Sequence, residues 1–214
     1  QISPYSDQID TIALFMDGEP TLHKKLVHFL QYAKKKGIKR IFMSSNMEYF
    51  TNKLVDSIMN EDLGETLQYI NCSLDGVSAE VFGQNRIGVD FNKAVDNTEY
   101  LIKKRNEYGY EYPWVFTRLL VNDLNEKEEK SFIDRWEGVA DKVLTTDMHN
   151  WAGKIGTENI KNPKKSKIPS LCYFPWSQIA IQYDGIVRLC CMDTDTEVVM
   201  GDLNKDTIND IWNG

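Results

Sequence analysis

The sequence has no long apolar run and no surplus of positive charge, and each shortage removes a class of function. No stretch approaches the roughly 18 apolar residues of a membrane-spanning helix, and no secretory leader opens the chain, so no membrane role is expected. Lysine and arginine number 25 against 32 aspartates and glutamates, a net charge of −7. That balance argues against a nucleic-acid partner. The short runs Lys34-Lys35-Lys36 and Lys164-Lys165-Ser166-Lys167 read as solvated faces. Cysteine is scarce too. Four thiols are too few and too bunched for a secreted disulfide framework, which points to a reducing, cytoplasmic setting. The 214 residues are still enough to bury a sizeable core.

What is present is an alternation of β-rich runs and helix-period segments. "IDTIALFM" (9–16), "IKRIFMSS" (38–45), "LQYINCSL" (67–74), "WVFTRLLV" (114–121) and "DKVLTTD" (141–147) read as strands. Between them, helices are expected over His23 to Lys36, Glu48 to Met59, Asp90 to Tyr108 and Glu126 to Trp136. This grammar gives βαβ units and a parallel sheet, wound as an α/β layer or as part of a (β/α) barrel.

After Asp147 the pattern changes. Residues 148–170 are rich in Gly, Asn and Lys with little periodicity, and read as a linker or lid in which His149 and Trp151 could meet a substrate, packing under the hairpin being the other role open to Trp151. "SQIAIQYDGIVRLCC" then alternates with period two around Asp184-Gly185, a hairpin signal because such a turn requires positive φ. Asp206 or Thr207 is positioned to cap a last helix, "TINDIWNG". The expected division is 1–150 for a partial barrel, 151–170 for the connection and 171–214 for a small hairpin domain.

In parallel α/β folds ligands bind where strands end. Here the strands end in Asp17-Gly18-Glu19-Pro20, Ser44-Ser45-Asn46, Ser73-Leu74-Asp75-Gly76, Asn122 after Arg118, and Asp147. Any one of these is an ordinary turn or cap; five on one rim favour a polar ligand. Glu19, between a glycine and a proline, is a rigidly placed carboxylate able to receive an ammonium, and equally able to start a helix. The remaining chemistry is sulfur. Cys172 precedes Gly185 by thirteen positions, and Cys190 and Cys191 follow it, so a hairpin would carry Cys172 towards Cys190. Thiols arranged so suit a metal or iron–sulfur site, or else are small buried hydrophobes. Cys72, inside a strand, reads as core.

Together these stretches resemble a known family. "MDGEPTLHKKLVHFLQYAKKKGIKRIFMSSN" and "SLDG" followed by Arg86 are similar to the barrel of radical S-adenosylmethionine enzymes. "CYFPWSQIAIQYDGIVRLCCMDTDTEVVMGDLNKDTINDIWNG" resembles the first half of a SPASM (or twitch) domain, whose auxiliary iron–sulfur site starts with Cys-x(9–15)-Gly-x(4)-Cys. The resemblance implies a partial TIM-like barrel followed by a cluster-binding hairpin domain. It places Gly18, Glu19 and Pro20 at the methionyl ammonium of S-adenosylmethionine, Ser44 and Asn46 at second-strand cofactor contacts, and Ser73 and Asp75 on the ribose side. Arg118, from the fourth strand, joins the cofactor-binding set. Cys172, Cys190 and Cys191 fall at the auxiliary cluster.

Three departures accompany it. Asp17 replaces the first glycine of the usual Gly-Gly-Glu-Pro, the Cys-x3-Cys-x2-Cys loop that holds the catalytic [4Fe-4S] cluster would precede residue 1, and the later cysteines of the auxiliary domain would lie beyond Gly214. The expectation is a trimmed chain, inert as it stands. The implied activity is reductive cleavage of S-adenosylmethionine and hydrogen abstraction from a peptide or protein side chain. A flavodoxin or ferredoxin would serve as electron donor, and a sugar or other small molecule is the alternative substrate. Two rival readings are a barrel that binds ligands without redox chemistry, and a zinc site using Cys172, Cys190 and one of His23, His28 or His149.

Overall fold

The computed structural model describes residues 2–148 and 172–214. The chain divides into a unit spanning Tyr5–Met148 and a second unit that holds the C-terminal residues.

Five parallel strands form the first unit's sheet in sequential order: β1 (Ile12–Leu14), β2 (Ile41–Ser45), β3 (Leu67–Ser73), β4 (Trp114–Val121) and β5 (Lys142–Asp147). The strand order and the small C-terminal sheet bear out the expected α/β class. Sequential order has a direct consequence. Parallel crossovers are right-handed as a rule, and steps in one direction then put the helices on one face of the sheet. These are α1 (Leu26–Lys35), α2 (Asn52–Asn60), α3 (Ala79–Asn85), α4 (Phe91–Glu107) and α5 (Glu129–Trp136).

The alternation along each strand records that one-sidedness. Ile41, Met43, Ile70, Cys72, Val115 and Leu119 are buried with Leu30, Val55, Ile58, Leu101 and Phe132 of the helices. Their neighbours Phe42, Ser44, Tyr69, Phe116 and Arg118 point to the helix-free face and are only partly covered. On that face Phe15, Phe42, Tyr69 and Phe116 form a continuous row of rings across four strand positions, with centroid separations of 4.8, 4.4 and 5.7 Å.

The structure trims several sequence boundaries. β1 keeps only three of the eight residues expected, and Pro20–Leu22 forms a separate 3₁₀ turn before α1. Proline fixes that turn's φ and lacks the N–H to continue as α-helix. α3 was not legible because a seven-residue helix shows too little periodicity; its start is capped by Ser78, which accepts from the Val81 N–H. The helix expected from Glu126 opens as a 3₁₀ turn, Glu126–Glu128, and becomes α-helical only at Glu129.

In the second unit α6 (Phe174–Ser177) precedes an antiparallel sheet of β6 (Ala180–Ile181), β7 (Ile186–Arg188) and β8 (Val199–Asp202), then α7 (Ile208–Asn213). Gly185 turns the β6–β7 hairpin at φ +93, and a Cβ there would come within 2.7 Å of Asn204 Nδ2. Asn204 needs that closeness, because its Nδ2 donates to the Asp184 carbonyl at 2.7 Å. Thr207 caps α7 in a reciprocal box with Asp210. β8 was not foreseen, since "VVMGD" carries no alternation. The connection expected over 151–170, with Trp151, and His149 before it, lies outside the described residues.

One ion pair locks the bottom of the first unit. Arg105, at the end of α4 and 7% exposed, pairs with Asp141 before β5 and donates to the Pro113 carbonyl at 3.1 Å. Asp141 also accepts from the Val115 N–H at 2.6 Å. Asp141→Ala leaves the buried guanidinium without its counter-charge and the Val115 N–H without its acceptor, so urea unfolding should show a loss of about 3 kcal/mol. Lys130→Ala, which breaks the exposed Lys130–Asp134 pair, should cost less than about 0.5 kcal/mol.

Candidate cofactor-binding rim and thiol cluster

Glu19 sits at the exit of β1 in extended backbone and caps the 3₁₀ turn. Its Oε1 accepts from the Thr21 N–H at 3.0 Å, the Thr21 hydroxyl at 2.6 Å and the Ser45 hydroxyl at 2.9 Å. Its Oε2 accepts from the Asn46 N–H at 2.8 Å. One carboxylate thus ties the first loop to the end of β2. Nothing stands within 4 Å of the position a Cβ would take on Gly18, so a ligand can approach the backbone beside Glu19. The turn after β2 is held in turn: Met47 is buried at φ +66, and its N–H donates to Ser45 Oγ at 2.9 Å. Asn97 of α4 donates to the Met47 carbonyl at 2.8 Å. A non-glycine residue held in this region marks backbone strain, which collects at functional turns.

The end of β3 is built the same way. Asp75 is 4% exposed and adopts φ +41. Its Oδ1 accepts from the Leu120 N–H and its Oδ2 from Arg86 Nε, both at 2.7 Å. Asn125 donates to the Asp75 carbonyl at 3.1 Å. Asp75, expected beside a ribose, has both oxygens engaged within the chain, where they tie Arg86 and the β3–β4 rim together.

Ser44, Ser73 and Arg118 project from the helix-free face, where register pairs Ser73 with Arg118. Ser44 and Ser73 hydroxyls stand 3.5 Å apart, and Arg118 donates to Thr146 Oγ1 at 3.2 and 3.3 Å. Glu19 and Asn46 meet at the rim above β1 and β2. The cofactor set expected from the sequence thus lies along the carboxyl ends of the strands, with Pro20 opening the turn. Three contributors were missed. Ser45 and not Ser44 holds Glu19, Thr146 receives Arg118, and Asn71 lies between Ser44 and Phe116 in register. The period of β2 carried the first signal, since it puts Ser44 and Ser45 on different faces.

The four thiols differ sharply. Cys72 is fully buried, and burial pushes its pKa up to about 12. Cys172 and Cys191 are exposed and Cys190 is half-buried; all are free. Cys191 is raised above the ordinary thiol range, first by desolvation, then by Cys190, with Cys172 adding to it and Arg188 opposing. The turn beyond Cys190 and Cys191 is shaped by Asp193, whose carboxylate accepts from the Glu197 and Val198 N–H groups at 2.8 and 3.1 Å. The donor chemistry suits an iron–sulfur cluster. Among the described residues, however, no three such ligands are gathered as a finished coordination shell. No helix among the described residues is long and apolar enough to cross a membrane.

Residues 172–214 match the SPASM family, an iron–sulfur cluster-binding domain. The fold is shared with SuiB of Streptococcus suis, solved bound to the precursor peptide SuiA, at a TM-score of 0.70 and 12% identity, over 94% of this chain and 53% of that one. It is shared also with BtrN, solved in complex with AdoMet and 2-DOIA, at a TM-score of 0.55 and 17% identity, over 100% of this chain and 65% of that one. The chain thus spans less than two thirds of either. A search of curated protein sequences gave no match. The expected architecture, a parallel α/β layer followed by a SPASM domain, is borne out.

The thiol assignment has a direct check. Iodoacetamide at pH 8 should label Cys172 in the folded, metal-free protein and leave Cys72 untouched, because its thiolate fraction there is negligible. Cys72 should react only after denaturation. Equal labelling rates in the folded state would contradict its placement.

Proposed function

We propose that this chain, with a SPASM domain at residues 172–214 and a one-sided parallel sheet before it, belongs to a radical S-adenosylmethionine enzyme acting on a peptide or protein side chain. The observation that carries the reading is the Glu19 carboxylate. It is fixed by four hydrogen bonds at the junction of β1 and β2, beside an unobstructed Gly18 backbone. That arrangement suits a cationic group held beside the backbone.

In this reading Glu19 receives the methionyl ammonium through charge, with Gly18 and Pro20 shaping the turn. Ser44, Asn46, Ser73 and Arg118 orient the rest of S-adenosylmethionine, and Asp75 keeps the rim in register. When bound, the cofactor and a [4Fe-4S] cluster supplied with electrons by a flavodoxin or ferredoxin furnish the radical that takes a hydrogen atom from substrate. The chain's share is orientation and exclusion of water. Cys172, Cys190 and Cys191 would hold the auxiliary cluster. The peptide reading draws support from the likeness to SuiB, whose structure contains a precursor peptide. The lower-scoring likeness to BtrN is the ground for the small-molecule alternative.

The test is 5′-deoxyadenosine release by the full-length protein, reconstituted anaerobically with iron and sulfide and given reductant and S-adenosylmethionine. Release is expected, stimulated by a peptide encoded beside the gene. Glu19→Gln removes the anionic acceptor and should weaken S-adenosylmethionine binding about tenfold or more, the scale of a hydrogen bond to a charged group. Stimulation by a sugar and by no peptide would overturn the substrate. Absence of release from loaded protein would overturn the enzyme.

A further inference from the structure

Among the described residues, Asn71 is the one buried side chain on the helix-free face with a polar atom that has no partner. It lies in the middle of β3, is 3% exposed, and stands in register with Ser44 on one side and Phe116 on the other. Its Nδ2 donates to Ser44 Oγ at 3.1 Å, which fixes the carboxamide plane. Its Oδ1 is buried and has no hydrogen-bond partner. A buried acceptor without a donor costs stability, and native proteins retain such groups where a ligand completes them. The Phe42–Tyr69–Phe116 ring row runs from the N-terminal side of Asn71 to Phe116 beside it; on the C-terminal side lie Ser73 and Arg118.

We propose that Asn71 Oδ1 is a substrate-binding acceptor that takes a backbone amide N–H of a peptide whose adjoining apolar or aromatic side chain lies on the Phe42–Tyr69–Phe116 row. The inference rests on the peptide reading above and extends it to a residue and a side-chain class. Both requirements come from the face itself. The acceptor needs a donor, and the rings, stacked at 4.4 Å between Phe42 and Tyr69, offer apolar area rather than further polar partners. The polar groups towards the strand ends would remain for the cofactor. Asn71 thus marks the boundary between the two.

The experiment uses the full-length protein and two small probes, N-acetyl-phenylalaninamide and the ester analogue in which oxygen replaces the acetamide N–H. Binding is followed by NMR of the probe. Wild-type protein should bind the amide roughly three- to tenfold more tightly than the ester, the range of one neutral hydrogen bond. Asn71→Leu should bind both probes equally. Its thermal midpoint should not fall, because the substitution also removes an unpartnered polar atom; if it fails to fold, Asn71→Ser, which shortens the acceptor out of reach, takes its place. Equal binding of the two probes by wild type, no binding of either, or discrimination that survives in the variant would overturn the proposal. The outcome is separable from the enzyme reading. Discrimination with no 5′-deoxyadenosine release would leave the Asn71 site standing and remove the activity, whereas peptide-stimulated release with no discrimination would do the reverse.

Discussion

The sequential order of five parallel strands is the constraint on which the rest depends. A sheet that reversed its winding would carry helices on both faces and place a ligand at the reversal. Here no reversal occurs, so the helices share one side, and that side takes nearly all of the aliphatic burial. The other side is left to rings towards the strand starts and to hydroxyls, a carboxamide and a guanidinium towards the strand ends. A functional face is the by-product of the winding.

Such a face is useful only if its rim is stiff. Two carboxylates supply the stiffness, each spending its lone pairs on neighbours. Glu19 joins the first loop to β2, and Asp75 joins the β3 loop to β4 and to Arg86. Both adjoin backbone that ordinary residues avoid, at Met47 and at Asp75 itself. Strain of roughly 1–3 kcal/mol at each such residue is tolerable where several hydrogen bonds enforce it. The small C-terminal sheet follows the same logic with different chemistry: Asn204 and Gly185 fix the hairpin, and Asp193 fixes the turn beyond Cys190 and Cys191.

The strands and their parallel pairing were legible because short β-branched and aromatic runs alternate with helix-period segments long enough to cross back over the sheet. The Asp184-Gly185 turn was legible because few residues tolerate its backbone. α3 and β8 were not, being too short to show a period. At the site, sequence spacing located Glu19 but not its partner Ser45, and it marked Asp75 without revealing that its carboxylate turns inward. Those outcomes depend on which face each residue of a strand presents, and a one-residue change of register exchanges the faces. Asn71 was invisible for a related reason: an asparagine inside an apolar run announces nothing until its burial and its unmet acceptor are seen.

In the proposed function, S-adenosylmethionine binds on the helix-free face and its strand-end rim. Hydrogen–deuterium exchange of the full-length protein with and without S-adenosylmethionine tests it most directly. Exchange should slow at residues 17–22, 44–48 and 71–77, and remain unchanged along α1, α2 and α4. Slowing on those helices, or none at the strand ends, would contradict it.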